Sequence, residues 1–199
     1  MNVHSKLPYI GTTIFSVMSA LANEHGAINL SQGFPNFDCS DRLKKLVGKY
    51  MRKGYNQYAP MPGVPALRKV LAEKIGTLYG LNVDPDAEIT ITAGATQAIY
   101  SAISAFVRPE DEVILIEPAY DCYRPAVEVN GGIAVTYEME APKYAVDWRL
   151  LERLISWRTR MIVVNTPHNP TGKVFNKTDL QQLQRIAEDR DILVLCDEA

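Results

Sequence analysis

From Glu88 onward the chain alternates short apolar runs with helical stretches, and this alternation limits its fold more than any other feature. The runs Ile89–Ala93, Val113–Glu117, Ile133–Glu138, Met161–Asn165 and Ile192–Cys196 have the length and composition of strands. Between them Ile99, Ala102, Ile103 and Phe106 recur at helical spacing. Leu150, Leu151, Leu154 and Ile155 do the same after Asp147 as N-cap, and Asn176 with Asp179 imitates a capping box before Leu180 and Leu183. Strands joined through helices need crossover connections, so the expectation is an α/β domain with a mainly parallel sheet.

Open sheets of this kind bind ligands beyond the carboxyl ends of their strands, and several of those ends are chemically loaded here. Met161 to Val164 run into Asn165-Thr-Pro-His-Asn-Pro-Thr-Gly172, where two prolines and a glycine break the strand and put Asn169 in a rigid polar loop. Ile192-Leu-Val-Leu-Cys-Asp-Glu198 delivers Asp197 at a strand end in the same manner. Thr90-Ile-Thr-Ala-Gly-Ala-Thr-Gln97 turns directly into a helix, whose first N–H groups and dipole join the Thr96 hydroxyl in a seat suited to phosphate. Neither a Walker-type GxxxxGK(S/T) nor a strand-borne GxGxxG is present, so this is not a nucleotide loop of either kind. Tyr120 follows Ile116-Glu-Pro at a further strand end. Taken singly these are an ordinary turn, a helix cap and a packed aromatic. Together, a phosphate seat, an aromatic face, a neutral donor and a carboxylate suit a phosphorylated aromatic heterocycle.

Composition narrows the partners. With 47% hydrophobic and 22% charged residues the chain is an ordinary globular sequence, and a formal charge of −2 gives no reason to expect nucleic acid or an anionic membrane as partner. Cys39, Cys122 and Cys196 form no CxxC pair and read as reduced thiols of a cytoplasmic protein. No secretory signal is expected, and no apolar run approaches the ~20 residues of a membrane span.

The first part of the chain carries fewer chemical signals. Met1 to Gly11 reads as an extended arm, followed by a helix over Thr13 to His25 whose Ile14, Val17, Met18 and Leu21 make a packing face. Ser31-Gln-Gly-Phe-Pro35 brings Gly33, where backbone can approach a ligand or simply turn. Asp41 to Gly54 reads as a basic amphipathic helix with a solvated face. Tyr58 sits in the proline-stiffened loop Tyr55 to Gly63, and core packing accounts for the stripe Leu67, Val70, Leu71, Ile75 and Leu78 of a helix over Pro65 to Tyr79.

The segments Ser31-Gln-Gly-Phe-Pro35, Asn56-Gln-Tyr58, Thr92-Ala-Gly-Ala-Thr-Gln-Ala98, Glu117-Pro-Ala-Tyr-Asp-Cys-Tyr123, Asn165-Thr-Pro-His-Asn-Pro-Thr-Gly172 and Cys196-Asp-Glu198 occur in order across nearly the whole chain. In that order they resemble the first half of a class I/II aminotransferase, a pyridoxal-phosphate enzyme of fold type I, and within it the methionine and kynurenine aminotransferase branch. The resemblance implies a three-layer α/β sandwich truncated before its last sheet strands. It implies an arm and small-domain helix over residues 1–40 with a dimer contact, and an incomplete large domain over 41–199.

It also implies roles. Gly94, Ala95 and Thr96 would take the phosphate of pyridoxal 5′-phosphate, Tyr120 would stack on its ring, and Asn169 would donate to the phenolic oxygen near the substrate carboxylate. Asp197 would pair with the ring nitrogen, so that its loss costs catalysis more than binding. Gly33 would offer backbone near the substrate carboxylate, and Tyr58 would reach the phosphate of the partner subunit in a homodimer. The implied reaction moves an α-amino group from methionine, an aromatic amino acid or kynurenine to a 2-oxo acid.

The Schiff-base lysine of the family lies beyond the Asp-Glu strand, and no lysine of this chain matches it, Lys173 included, so no catalytic residue is assigned and the chain alone is expected to be inactive. The strand Ile89–Ala93 is expected to lack its ladder neighbour, and the strand ending at Asp197 to form an unpaired apolar edge. Two alternatives accompany this reading. One is a non-catalytic half-domain that needs a complementing chain; the other is a fold type I carbon–sulfur lyase.

Overall fold

Alternation along two buried strands builds the centre of the molecule. In the computed structural model, which describes residues 4–33 and 35–199, β1 (Glu112–Glu117) and β3 (Thr159–Asn165) are nearly continuous buried runs. Ile114, Ile116, Ile162 and Val164 point to one face of the sheet, while Val113, Leu115, Met161 and Val163 point to the other. A strand apolar on both sides has to be covered twice, and helices do so. α4 (Ala95–Phe106) and α5 (Tyr123–Val129) cover one face through Ile99, Ile103, Ala126 and Val127. The other is covered by α6 (Trp148–Glu152) and α7 (Lys177–Arg190) through Trp148, Leu151, Leu183 and Ile186. The result is the three-layer sandwich expected from the sequence.

The sheet is completed by β2 (Ile133–Glu138) and β4 (Leu193–Asp197), in the order β2-β1-β3-β4 with every pairing parallel. β1 leads through α5 to one edge and β3 leads through α7 to the other, on opposite faces. Between the carboxyl ends of β1 and β3 the winding therefore reverses, which opens a crevice. Local signals fix the helices that follow. Asp147 accepts from Arg149 N and Leu150 N at 3.0 and 3.3 Å, and Asn176 with Asp179 forms a full capping box. The indole of Trp148 donates to Asp179 Oδ1 at 3.0 Å, tying α6 to the start of α7.

Ile89–Ala93, read as a strand but expected to lack its ladder neighbour, forms no ladder among the described residues; Ile91 N instead donates to Pro62 O at 3.0 Å. A strand exists only beside a neighbour, and its own sequence of alternating Ile and Thr could not supply one. β4 ends one residue later than expected, so Asp197 is its last residue, and it is an edge of the sheet with Leu193 exposed.

By internal packing the chain forms two units, one containing Ala93–Ala199 with the arm up to Gly11, the other Thr12–Thr92. The second unit holds α1 (Ile14–Glu24), α2 (Asp41–Arg52) and α3 (Pro65–Tyr79). The stripes of α1 and α3 are not the packed faces the sequence suggested: α1 buries no residue, and Leu67, Val70 and Leu78 of α3 are exposed, while α2, read as a solvated helix, buries none either. Arg68 is the buried side chain of α3, paired with Asp86 at 3.0 Å and donating to Pro85 O. Gly63, at φ +102°, has no room for a Cβ because Ile91 lies against it. Phe34 of the Ser31–Pro35 segment and residues 1–3 of the arm lie outside the described residues. Among the described residues no helix is long and apolar enough to cross a membrane.

The central layer predicts its own weak point. Ile114 is fully buried in β1, and Ile114→Ala is expected to lower unfolding stability by about 2–5 kcal/mol. Urea unfolding followed by tryptophan fluorescence measures this, and a loss under about 1 kcal/mol would remove Ile114 from the core.

Candidate functional site

A cleft of about 490 Å³ opens beyond the carboxyl ends of the strands, within the unit that carries the sheet. Its lining includes Gly94, Ala95, Thr96, Tyr120, Asn169 and Asp197, which the sequence singled out, together with Tyr123 and Asn165, which it did not. A volume of this size suits a small organic ligand.

Each wall has a local cause. Gly94 is the N-cap of α4 at φ +90° and ψ 167°, a conformation that disfavours a side chain. Ala95, Thr96 and Gln97 begin the helix, so their N–H groups have no carbonyl one turn earlier to meet. Gln97 Oε1 reaches back and accepts from Ala93 N at 2.6 Å, which fixes the entry into the helix. Burial, followed by the charges of Asp121 and Asp197, pushes the Cys122 thiol up to about 11, so Cys122 stays protonated and is no nucleophile at neutral pH.

On the opposite side of the switch point β3 ends at Asn165, which is buried. Its side chain works in both directions: Oδ1 accepts from Asn169 N at 2.6 Å, and Nδ2 donates to Asp197 O at 2.8 Å. Asn165 is also the register partner of Asp197 across β3 and β4. The loop beyond it is closed by hydrogen bonds from Gly172 N to His168 O at 2.7 Å and from His168 N to Lys173 O at 2.8 Å. His168 lies under this loop at 4% exposure, its Nδ1 2.9 Å from Thr171 Oγ1. Burial lowers the affinity of its ring for a proton, opposed by a backbone hydrogen bond with Ile116 of β1.

Asp197 is the acid of the cleft. Its Oδ2 accepts from the Tyr123 hydroxyl at 2.6 Å and its Oδ1 from Ala199 N at 3.0 Å. Tyr120 and Tyr123 meet edge to face, with ring centroids 6.1 Å apart at 67°. The cleft thus combines the first turn of a helix and a hydroxyl, an aromatic wall, an amide and a half-buried carboxylate, a set that fits a phosphorylated pyridine. Gly33 and Tyr58 belong to the Thr12–Thr92 unit, where both are exposed, and are not among the residues that build this cleft. No lysine lines it among the described residues.

The fold places the chain with the fold type I pyridoxal-phosphate enzymes. Over 100% of its length it matches, with a TM-score of 0.95 and 48% identity, a solved Escherichia coli structure identified as having methionine aminotransferase function, covering 52% of that chain. It matches N-succinyldiaminopimelate aminotransferase of Mycobacterium tuberculosis with a TM-score of 0.94 and 39% identity, over 99% of this chain and 52% of that one. A profile of the family aminotransferase class I and II matches residues 25–199, and the chain belongs to that family. It is 49% identical to the methionine aminotransferase of Escherichia coli over 98% of this chain and 50% of the relative. To human kynurenine–oxoglutarate transaminase 1 it is 34% identical, over 89% and 45% respectively. The chain spans about half the length of the curated relatives it matches.

Tyr123, Asn165 and His168 are the positions that sequence reasoning passed over. Asn165 had a usable signal, a single amide ending a run of four apolar residues. Tyr123 had only its spacing from Tyr120, which a helix start and a loop render uninformative.

His168 generates a prediction on pH. A histidine held neutral by burial contributes stability that is present above its unfolded value near ~6.5 and is lost as pH falls through the lower folded value. The wild-type chain is therefore expected to lose more thermal stability than His168→Gln between pH 7.5 and pH 5, and equal losses in the two proteins would refute the assignment.

Proposed function

We propose that this chain is the cofactor-gripping half of a pyridoxal-phosphate-dependent aminotransferase, which transfers an α-amino group from an amino acid to a 2-oxo acid. The observation that carries the reading is the convergence of Gly94, Ala95, Thr96, Tyr120, Asn169 and Asp197 on one cleft at the switch point of the sheet. In this reading the N–H groups at the start of α4 and the Thr96 hydroxyl bind phosphate, and Tyr120 offers a ring face. Asn169 donates from its side-chain amide to a phenolic oxygen, and Asp197 meets a cationic ring nitrogen as a fixed anion. The cofactor, when bound, supplies an electron sink for negative charge developing beside the amino group. Asp197 orients and neutralises that sink; Asn165, through Asp197 and Asn169, sets the distance between its two polar anchors.

Family membership supports the further parts of the proposal. Residues 1–40 serve as an arm and small-domain helix, and residues 41–199 as part of the cofactor domain. Gly33 offers its backbone to a substrate carboxylate, and Tyr58 reaches the phosphate site of a partner subunit in a cytoplasmic homodimer. The 49% identity to a methionine aminotransferase favours methionine among the amino donors, ahead of aromatic amino acids and kynurenine. No lysine of this chain is assigned the Schiff-base role in this proposal. A second reading is a binding half without chemistry of its own, since the chain spans about half the length of its curated relatives. Co-expression with a polypeptide corresponding to the relatives' second half separates the two, since only the first reading expects amino transfer to appear.

The direct test is titration of the 199-residue chain with pyridoxal 5′-phosphate, followed by absorbance. Saturable binding is expected, with no product that borohydride traps on the chain. Asp197→Ala removes a charge-assisted contact worth roughly 1.5–3 kcal/mol, or about 10- to 100-fold in affinity. No saturable binding, or an Asp197→Ala chain that binds as tightly as the wild type, would overturn the assignment.

A further inference from the structure

The hydrogen bond from Tyr123 to Asp197 spans 74 residues and joins the start of α5 to the last residue of β4. Tyr123 is only 3% exposed, packed with Ile99, Ile103, Ala126 and Val127, so its ring is held by the core rather than by the cleft. Its hydroxyl nevertheless reaches the cleft, which it lines beside Asp197. Burial first, and then the hydrogen bond to Asp197 with the carboxylate's charge, push the phenol above its ordinary value, so it donates throughout the neutral range. A carboxylate offers about four lone-pair sites. Tyr123 occupies one on Oδ2 and Ala199 N one on Oδ1, which leaves sites for a further donor.

We propose that Tyr123 is the positioning residue of Asp197: its phenol fixes the plane of the carboxylate, so that the carboxylate meets a ligand's ring nitrogen at a set angle and a proton shared between them resides on the nitrogen. The physical basis is that a hydrogen bond donated to a carboxylate favours the charged form. A free aspartate at a strand end would rotate about its side-chain torsions and share such a proton more evenly. Held from the core by a rigid aromatic, it presents a constant anion. This inference rests on the cofactor assignment above, but concerns a residue that touches Asp197 and not the reacting atoms.

The test uses pyridoxal 5′-phosphate labelled with ¹⁵N in the ring, bound to the 199-residue chain at pH 7.5, with the nitrogen resonance reporting protonation. The wild type is expected to show the protonated position. Tyr123→Phe is expected to move the resonance toward the neutral pyridine position and to weaken binding about 5- to 10-fold, with no further movement when it is added to Asp197→Asn. Tyr123→3-fluorotyrosine, nearly isosteric and a stronger donor, preserves the core and is expected to keep the resonance at the protonated position with undiminished affinity. It therefore carries the test if the phenylalanine variant does not fold. A resonance and affinity unchanged in Tyr123→Phe, or a fluorotyrosine chain whose resonance moves to the neutral position, would overturn the role of Tyr123 while leaving the cofactor site standing. A wild-type chain that takes up no cofactor would overturn both.

Discussion

Three elements of the sheet unit meet at Asp197. Its backbone carbonyl accepts from Asn165 Nδ2 and, at 3.2 Å, from Thr166 N, so β4 is locked to the end of β3 where the Asn-Pro loop begins. Its carboxylate accepts from Tyr123 of α5, the helix that follows β1. The two central strands and the edge strand are thereby brought to one level at their carboxyl ends. The depth of the cleft, the position of the Asn169 loop and the placement of the acid all depend on that level. Because β1 and β3 are buried on both faces, neither can slide without exposing an apolar residue, and the core enforces the register that the hydrogen bonds describe.

Much of this was legible in the sequence because it rests on local rules. Apolar runs of strand length, the N-cap at Asp147, the capping box at Asn176 and the proline-broken loop after Asn165 are each written within a few residues. The structure reproduces them with small changes at the ends. That Gly94 to Thr96, Tyr120, Asn169 and Asp197 share one cleft was legible for a related reason: each opens a helix, ends a strand or stands in the loop just beyond a strand end, where an open α/β sheet forms its crevice. Ile89–Ala93 has strand composition yet forms no ladder, as its expected lack of a neighbour implied, because a strand is a property of two segments and composition describes only one. The stripes of α1 and α3 failed for the same reason, since amphipathic spacing states that a face is apolar without stating what covers it. Tyr123 was invisible as a site residue because its partner stands 74 positions away.

The assembled polar groups also decide what kind of chemistry the cleft supports. The Cys122 thiol is kept protonated by burial and by neighbouring carboxylates, and His168 is buried beneath the Asn-Pro loop. Neither is placed to act as nucleophile or base in the cleft. What does line it is a set of donors, an aromatic surface and an anion, groups that hold a molecule and polarise it. A site built this way leaves bond-making to whatever it binds, which is the division of labour expected between a protein and a reactive cofactor.

The same division explains why the cleft is a poor guide to the amino donor. The relatives matched here carry names as different as methionine, N-succinyldiaminopimelate and kynurenine aminotransferases, yet the chain superposes on two of their solved structures with TM-scores of 0.95 and 0.94. A backbone shared this closely by proteins with such different names does not by itself distinguish their substrates. Discrimination has to come from surfaces outside the strand ends described here.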